Sequence, residues 1–153
     1  MPLRANMIND ELAAADLLKE SLSHNKVWVN ITGSSMSPLL RPGTRVLLEK
    51  PGQIRFGDII IYRNKGGIVC HRLIRRTKDI NGNALYQTKA DNGNCLDRPV
   101  CPEDILGRVS AFKKGDKIIK LDTFSGRISA WNLWAFSLTR VIIHKYAKIR
   151  RAV

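Results

Sequence analysis

Residues 58 to 74 read DIIIYRNKGGIVCHRLI and predict two β-strands joined by a tight turn. Asp58 to Tyr62 contains an unbroken apolar run, as expected for a strand that is buried on both faces. Lys65-Gly66-Gly67 supplies the turn residues, and Ile68 to Ile74 forms the second strand. The stretch therefore predicts a hairpin inside a sheet.

Further short strands lie on both sides of this hairpin. In residues 27 to 32, Val, Val and Ile alternate with Trp, Asn and Thr, which indicates a half-buried strand. The other expected strands are Arg45 to Leu48, Leu85 to Thr88, Gly107 to Phe112 and Lys117 to Leu121, separated by turn signals such as Pro42-Gly43, Pro51-Gly52 and Asn81-Gly82. Short strands at this spacing predict a mainly-β fold, either an all-β barrel or a folded sheet.

Helical patterns flank the β region. Near the N-terminus, apolar residues at spacings of three and four share one face and predict an amphipathic helix packed on the domain: Ile8, Leu12, Ala15, Leu18 and Leu22. Asn9 is the expected N-cap. From Arg127 onward the pattern is helical again. We therefore expect an N-terminal helix in residues 1–24, a β domain in 25–123 and a basic amphipathic helix in 124–153.

The composition limits the partners and the compartment. The 153 residues include 26 Lys and Arg against 13 Asp and Glu, and the resulting net charge of +13 favours an acidic partner or surface. Three cysteines favour a reduced compartment, although one disulfide with one free thiol stays open. No Cys-x-x-Cys pair indicates a zinc site, and we expect neither a metal nor a cofactor. The sequence shows no secretory signal and no spanning helix.

Two segments carry a candidate nucleophile and a candidate base. Ser35 follows a predicted strand in the turn Gly33-Ser34-Ser35-Met36-Ser37-Pro38, but a serine hydroxyl needs a neighbouring base to become nucleophilic. His71 shares its strand face with Val69 and Leu73, and such partial desolvation preserves the neutral, basic form. A polar turn and a hydrogen-bonded core histidine are the structural alternatives.

A turn-rich loop in residues 88–97 carries two carboxylates, Asp91 and Asp97. One of them could accept a hydrogen bond from the far nitrogen of His71 and so fix its tautomer. The alternative is an Asx-turn loop with solvated carboxylates.

The order of these segments resembles the type I signal peptidase family over roughly residues 29 to 109. The similarity rests on Gly33-x-Ser35-Met36-x-Pro38, Gly57-Asp58-Ile59-Ile60-Ile61, His71-Arg72-Leu73, Thr88-Lys89-Ala90-Asp91-Asn92, Asp97 and Ile105-Leu106-Gly107-Arg108-Val109. Because His71 stands where bacterial members and LexA-type repressors have Lys, the chain resembles the Ser-His-Asp branch found in archaea and the endoplasmic reticulum.

The resemblance implies a signal-peptidase or LexA-like folded sheet and a role for each matched residue. Ser35 would be the nucleophile, His71 the general base and Asp97 the residue that orients the base. Asp91 would be structural or supporting, and the backbone at Ser35 and Met36 would lie near the oxyanion site. The chain departs from the family pattern at three positions: Thr44 replaces an Asp, Ala90 replaces a Gly, and Gly33 replaces a serine that many bacterial members use as a second oxyanion donor.

Three functions follow as hypotheses. The first is a serine endopeptidase that cleaves signal-like or precursor peptides after small residues. The second is a LexA-type self-cleaving regulator, which a single N-terminal helix disfavours because a helix-turn-helix domain needs more. The third is a non-catalytic peptide-binding module of the same fold.

The predicted C-terminal helix combines aromatic residues with a cationic end, which favours contact with an anionic membrane surface over nucleic acid. The alternative is a helix that packs its Trp face on the β domain and leaves its basic face in solvent. The residues expected to make this contact are Trp131, Trp134, Arg140, Lys145 and Lys148. We therefore expect a protein held peripherally at the cytoplasmic membrane, whose oligomeric state cannot be inferred from the sequence.

Overall fold

The computed structural model describes residues 2–65 and 67–121, with side chains of the first helix described from residue 13. Helix α1 spans Pro2–His24. The expected cap at Asn9 is wrong because the helix begins seven residues earlier, at a proline, which is favoured in a first helical turn. No helix within the described ranges has both the length and the apolar character needed to cross a bilayer.

Within the described residues, seven strands follow the helix, and they confirm the predicted mainly-β fold. They are β1 (Val27–Asn30), β2 (Arg45–Glu49), β3 (Ile59–Asn64), β4 (Gly67–Lys78), β5 (Ala84–Lys89), β6 (Ile105–Lys114) and β7 (Lys117–Lys120), with a 3-10 turn at Pro102–Asp104 before β6. Each strand overlaps one of the segments that the sequence indicates.

The strands form one antiparallel sheet in the order β1-β2-β6-β3-β4-β5, and β7 pairs with β6. Within the described residues this path is open, so the chain forms a folded sheet with β1 and β5 at its ends. Strand β5 pairs with β4 only from Arg72 onward, whereas β3 pairs with β4 from Gly67 to Arg72. In the described part of the chain, the first half of β4 therefore has one edge that no strand covers.

Strand β3 contributes to two hydrophobic clusters, as its unbroken apolar run predicts. Ile59 and Ile61 belong to a cluster that α1 completes with Ala15 and Leu22. The alternate residues of β3 join a smaller cluster on the opposite face, made of Ile54, Ile60, Tyr62, Leu73, Val100 and Ile105. Because both faces of β3 are buried, β3 can hold the neighbouring strand β4 rigidly in place.

Close contact between α1 and β6 predicts a strict requirement for glycine at position 107. A Cβ atom there would lie 2.8 Å from Leu22 Cδ1 and 3.2 Å from the Glu49 carbonyl oxygen. We expect Gly107→Ala to lower the free energy of unfolding by about 1–3 kcal/mol through overpacking, as measured by urea denaturation. Gly52→Ala is the matched control because no atom lies within 4 Å of its added Cβ. Equal stability of the two variants would contradict the close packing of α1 on β6.

Candidate active site

Ser35 lies in the turn that follows β1, and this turn is anchored on both sides. The Ile31 N–H donates to the Thr44 carbonyl (2.8 Å), and the Leu40 N–H donates to the Met36 carbonyl (2.9 Å). Met36 and Leu40 are fully buried in the larger cluster. The turn is therefore held by its apolar residues, while Ser35 is only partly buried beside them.

His71 lies in β4, opposite Ile60 of β3, and contacts Asp97 directly. His71 Nδ1 and Asp97 Oδ2 are 2.7 Å apart, and the two side chains are 13% and 26% exposed. Of the two carboxylates in the loop after β5, Asp97 is the one that contacts His71. The resemblance implies the same pairing.

Asp97 is held by further hydrogen bonds. Its Oδ2 accepts from Thr88 Oγ1 at 2.7 Å and from the Tyr62 hydroxyl at 3.4 Å, and its carbonyl accepts from Gln87 Nε2 at 3.0 Å. Burial raises the pKa of Asp97, but the hydrogen bonds from His71 and Thr88 outweigh it and leave the pKa below the ordinary value. Burial also raises the pKa of Tyr62 to about 12, so its hydroxyl stays protonated.

These contacts assign the tautomer of His71. An ionised Asp97 carboxylate only accepts hydrogen bonds, so His71 Nδ1 must carry the proton in the 2.7 Å contact. In the neutral ring, Nε2 then holds the free lone pair. The geometry therefore leaves Nε2 of His71 on the side of the ring away from Asp97.

Ser35 and His71 line the same cavity, whose volume is about 480 Å³. The cavity runs between residues 29–33 at the end of β1 and residues 68–71 of β4. Its walls are largely apolar, with contributions from Met36 and Ile61. A nucleophile and a base that share an apolar cleft can act on a bound acyl group with little competition from water.

Asp91 pairs with Arg72 and not with His71. Arg72 Nε and Nη2 donate to the two carboxylate oxygens of Asp91 at 2.8 and 2.7 Å, and Nη1 donates to the Gly57 carbonyl at 2.8 Å. The side chains of Arg72 and Asp91 are 2% and 6% exposed. This buried, bidentate pair attaches the loop after β5 to β4, in agreement with a supporting role for Asp91.

Asn92 attaches the loop after β5 to the turn that carries Ser35. Its backbone N–H donates to the Ser35 carbonyl at 3.1 Å, and its side-chain Nδ2 donates to the Ser34 carbonyl at 2.8 Å. The loop after β5 therefore makes two contacts. Through Asn92 it reaches the turn that carries Ser35, and through Asp97 it reaches His71.

Comparisons with known proteins identify the family of the chain. A model of Peptidase S24-like proteins matches residues 4–109, which is more than half of the chain and includes Ser35, His71 and Asp97. The chain belongs to the Peptidase S24-like family. The signal peptidase complex catalytic subunit SEC11 of Eremothecium gossypii is 31% identical over 100 residues, which cover 63% of this chain and 56% of that subunit. The resemblance to signal peptidases is thus confirmed, although the match spans little more than half of that relative.

Four residues of the site have no role assigned from the sequence alone: Tyr62, and Arg72, Thr88 and Asn92, the last three of which lie in the motifs that carry the resemblance. The strand pattern could have indicated Tyr62, because Tyr62 lies on the same face of β3 as Ile60, and Ile60 lies opposite His71. The rings of Tyr62 and His71 are edge-on, with their centroids 6.3 Å apart. The contacts of the other three depend on how the loop after β5 folds back over the sheet, and no local pattern encodes that.

Two other groups of predicted residues have different outcomes. The side chain of Met36 is part of the core, and the role of its backbone near an oxyanion stays a prediction. The residues expected at a membrane surface, Trp131, Trp134, Arg140, Lys145 and Lys148, lie outside the described residues, as does the rest of the segment 124–153.

The lowered pKa of Asp97 predicts how this residue contributes to stability as the pH changes. Because the pKa is lower in the folded than in the unfolded state, the carboxylate stabilises the fold above about pH 4, and this contribution is lost as the pH falls through the folded-state pKa. We expect urea denaturation to show a stability difference between the wild type and Asp97→Asn at about pH 5 that shrinks by about pH 3. Asp116→Asn, in the exposed turn before β7, is the control. A difference that stays constant over this range would contradict an ionised, hydrogen-bonded Asp97.

Proposed function

We propose that this chain is a serine endopeptidase with Ser35 as nucleophile, His71 as general base and Asp97 as the residue that orients the base. The observation that carries the proposal is the 2.7 Å contact of His71 Nδ1 with Asp97, made while His71 and Ser35 line one cavity. The similarity to a signal peptidase catalytic subunit supports precursor peptides with small residues before the cut as the substrate.

The contact of His71 with Asp97 and the cavity that His71 shares with Ser35 support a two-stage reaction. Ser35 Oγ attacks the scissile carbonyl carbon while His71 Nε2 takes the hydroxyl proton, and the ionised Asp97 stabilises the resulting imidazolium. The oxyanion lies against backbone N–H groups of the turn at Ser35. His71 then gives its proton to the leaving amine. In the second stage, His71 activates a water molecule that hydrolyses the acyl-enzyme and restores Ser35.

Two uncovered strand edges favour an extended substrate. Strand β1 ends the sheet, and the first half of β4 pairs with β3 alone among the described strands. The cavity lies between residues 68–71 of β4 and residues 29–33, of which Val29 and Asn30 belong to β1 and the others directly follow it. A peptide in extended conformation can therefore form backbone hydrogen bonds with an edge of the cleft, in the manner of an added strand.

The side chains in the cleft favour small, apolar residues next to the scissile bond. Val29, Ile31, Met36, Ile61 and Val69 line the cavity, and Met36, Ile31 and Ile61 belong to the packed core. Because a packed core yields little to a large side chain, bulky residues would be excluded from this part of the cleft. The cleft would therefore select substrate side chains next to the scissile bond by their size and not by their charge.

Removing the nucleophile or the base should abolish cleavage without unfolding the chain. We expect Ser35→Ala and His71→Ala each to lower kcat/KM on a small-residue precursor peptide by at least about three orders of magnitude, because members of such a triad act as one unit. The rate of product formation is followed by mass spectrometry in a membrane-mimetic detergent, and circular dichroism checks the fold. His24→Ala, in helix α1, is the control for loss of a histidine. Near-normal turnover by either active-site variant would remove that residue from the mechanism.

Asn92 gives a separate test, because it positions the nucleophile turn without contacting the reacting atoms. We expect Asn92→Ala to lower kcat about tenfold or more with a smaller change in KM, since misplacement of a reacting group by about 1 Å can cost up to about a hundredfold. Asn94→Ala, an exposed residue of the same loop, is the matched control. Equal kcat values for the two variants would show that the side chain of Asn92 does not position Ser35.

A further inference from the structure

A second cavity, of about 450 Å³, adjoins the one that holds Ser35 and His71. Ile68 of β4 lines both cavities and is 40% exposed between them. The second cavity is bounded by the ends of β3 and β4 and by residues 98–100. Its wall includes Tyr62, whose hydroxyl reaches Asp97. The proposed mechanism leaves this space unused.

Charged side chains surround the second cavity, and most of them are cationic. Arg63, Lys65 and Arg98 line it, together with a single carboxylate, Asp104. Arg63 Nη2 forms an ion pair with Asp16, while Arg63 Nε is buried without a hydrogen-bond partner among the described residues. In the described part of the chain, neither Lys65 nor Arg98 forms an ion pair. Because Lys65 and Arg98 lack an ion-pair partner among the described residues and Asp104 is the only carboxylate in the lining, the cavity carries an excess of positive charge, which favours an anion.

The position of the cavity matches the path of an extended peptide. Ile68 is three residues from His71 along β4, which corresponds to about 10 Å at the rise of a strand. A peptide that runs along the uncovered edge of β4 advances by about the same distance per residue. A side chain three or four residues from the scissile bond would therefore reach the second cavity.

We propose that this second cavity is a specificity subsite for an acidic side chain of the peptide substrate, three or four residues from the scissile bond. The carboxylate would lie between Lys65 and Arg98, and the aliphatic part of the side chain would pack against Ile68 and Val100. This proposal rests on the proposed peptidase function. It assigns recognition of charge to the second cavity and recognition of size to the cleft at Ser35.

Binding can be measured separately from cleavage with the Ser35→Ala chain and fluorescent peptides. The peptides share one small-residue cleavage sequence and carry either Asp or Asn at the third and fourth positions, in one series before the cut and in another after it. By fluorescence anisotropy at low salt, we expect the Asp peptide of one series to bind about threefold to tenfold more tightly than its Asn counterpart. The preference for the Asp peptide should fall below about twofold when Lys65→Gln and Arg98→Gln are both added to the Ser35→Ala chain. The control adds Lys78→Gln and Lys114→Gln, which remove the same charge from exposed positions outside the cavity lining, and should keep the preference.

Three results would overturn the subsite. They are equal binding of the Asp and Asn peptides in both series, an equal loss of preference in the two pairs of Gln substitutions, and no binding of any peptide. The peptidase function is tested independently, because the wild-type chain should cleave the Asn peptide whether or not the subsite exists. Cleavage without a charge preference would contradict the subsite alone, and a charge preference without cleavage would contradict the peptidase alone.

Discussion

The buried ion pair between Arg72 and Asp91 joins strand β4 to the loop that follows β5. Two parallel hydrogen bonds of 2.8 and 2.7 Å connect the two side chains, and Arg72 also donates to the Gly57 carbonyl. Removing one partner of such a pair leaves an uncompensated buried charge, which typically costs about 3–5 kcal/mol. The loop is therefore held in one position against the sheet.

That fixed loop determines the geometry of the proposed active site. One residue beyond Asp91, Asn92 donates two hydrogen bonds to the turn that carries Ser35. Six residues beyond Asp91, Asp97 meets His71 and is held there by Thr88. Because His71 and Arg72 are adjacent in β4, the base and the anchor of the loop move as one rigid unit. Ser35 and His71 thus owe their common cavity in part to contacts of Arg72, Asp91 and Asn92, which lie outside the proposed triad.

Local patterns in the sequence predicted the strands well, because burial on one or both faces leaves a direct trace in residue order. The apolar run of β3 is the clearest case, since its alternate residues enter two different clusters. The pairing of His71 with Asp97 required the resemblance to a family, because either loop carboxylate could have served. Other contacts of the site join residues from different strands and loops. Tyr62 and Thr88 donate hydrogen bonds to Asp97, and Arg72 forms its ion pair with Asp91. Such contacts depend on strand register and on the course of a loop, which periodicity does not record.

The role of Ser35 as a nucleophile activated by His71 can be examined by covalent labelling at a single residue. The purified chain is treated with a serine-reactive fluorophosphonate in detergent, and the modified peptide is located by mass spectrometry. A peptide boronate with a small residue at its reactive end serves as a second probe that enters the cleft as substrate would. We expect both probes to bond to Ser35 and the modification to be lost in His71→Ala. Modification of another serine, modification of Ser35 that persists without His71, or no reaction of the folded chain with either probe would contradict the proposed mechanism.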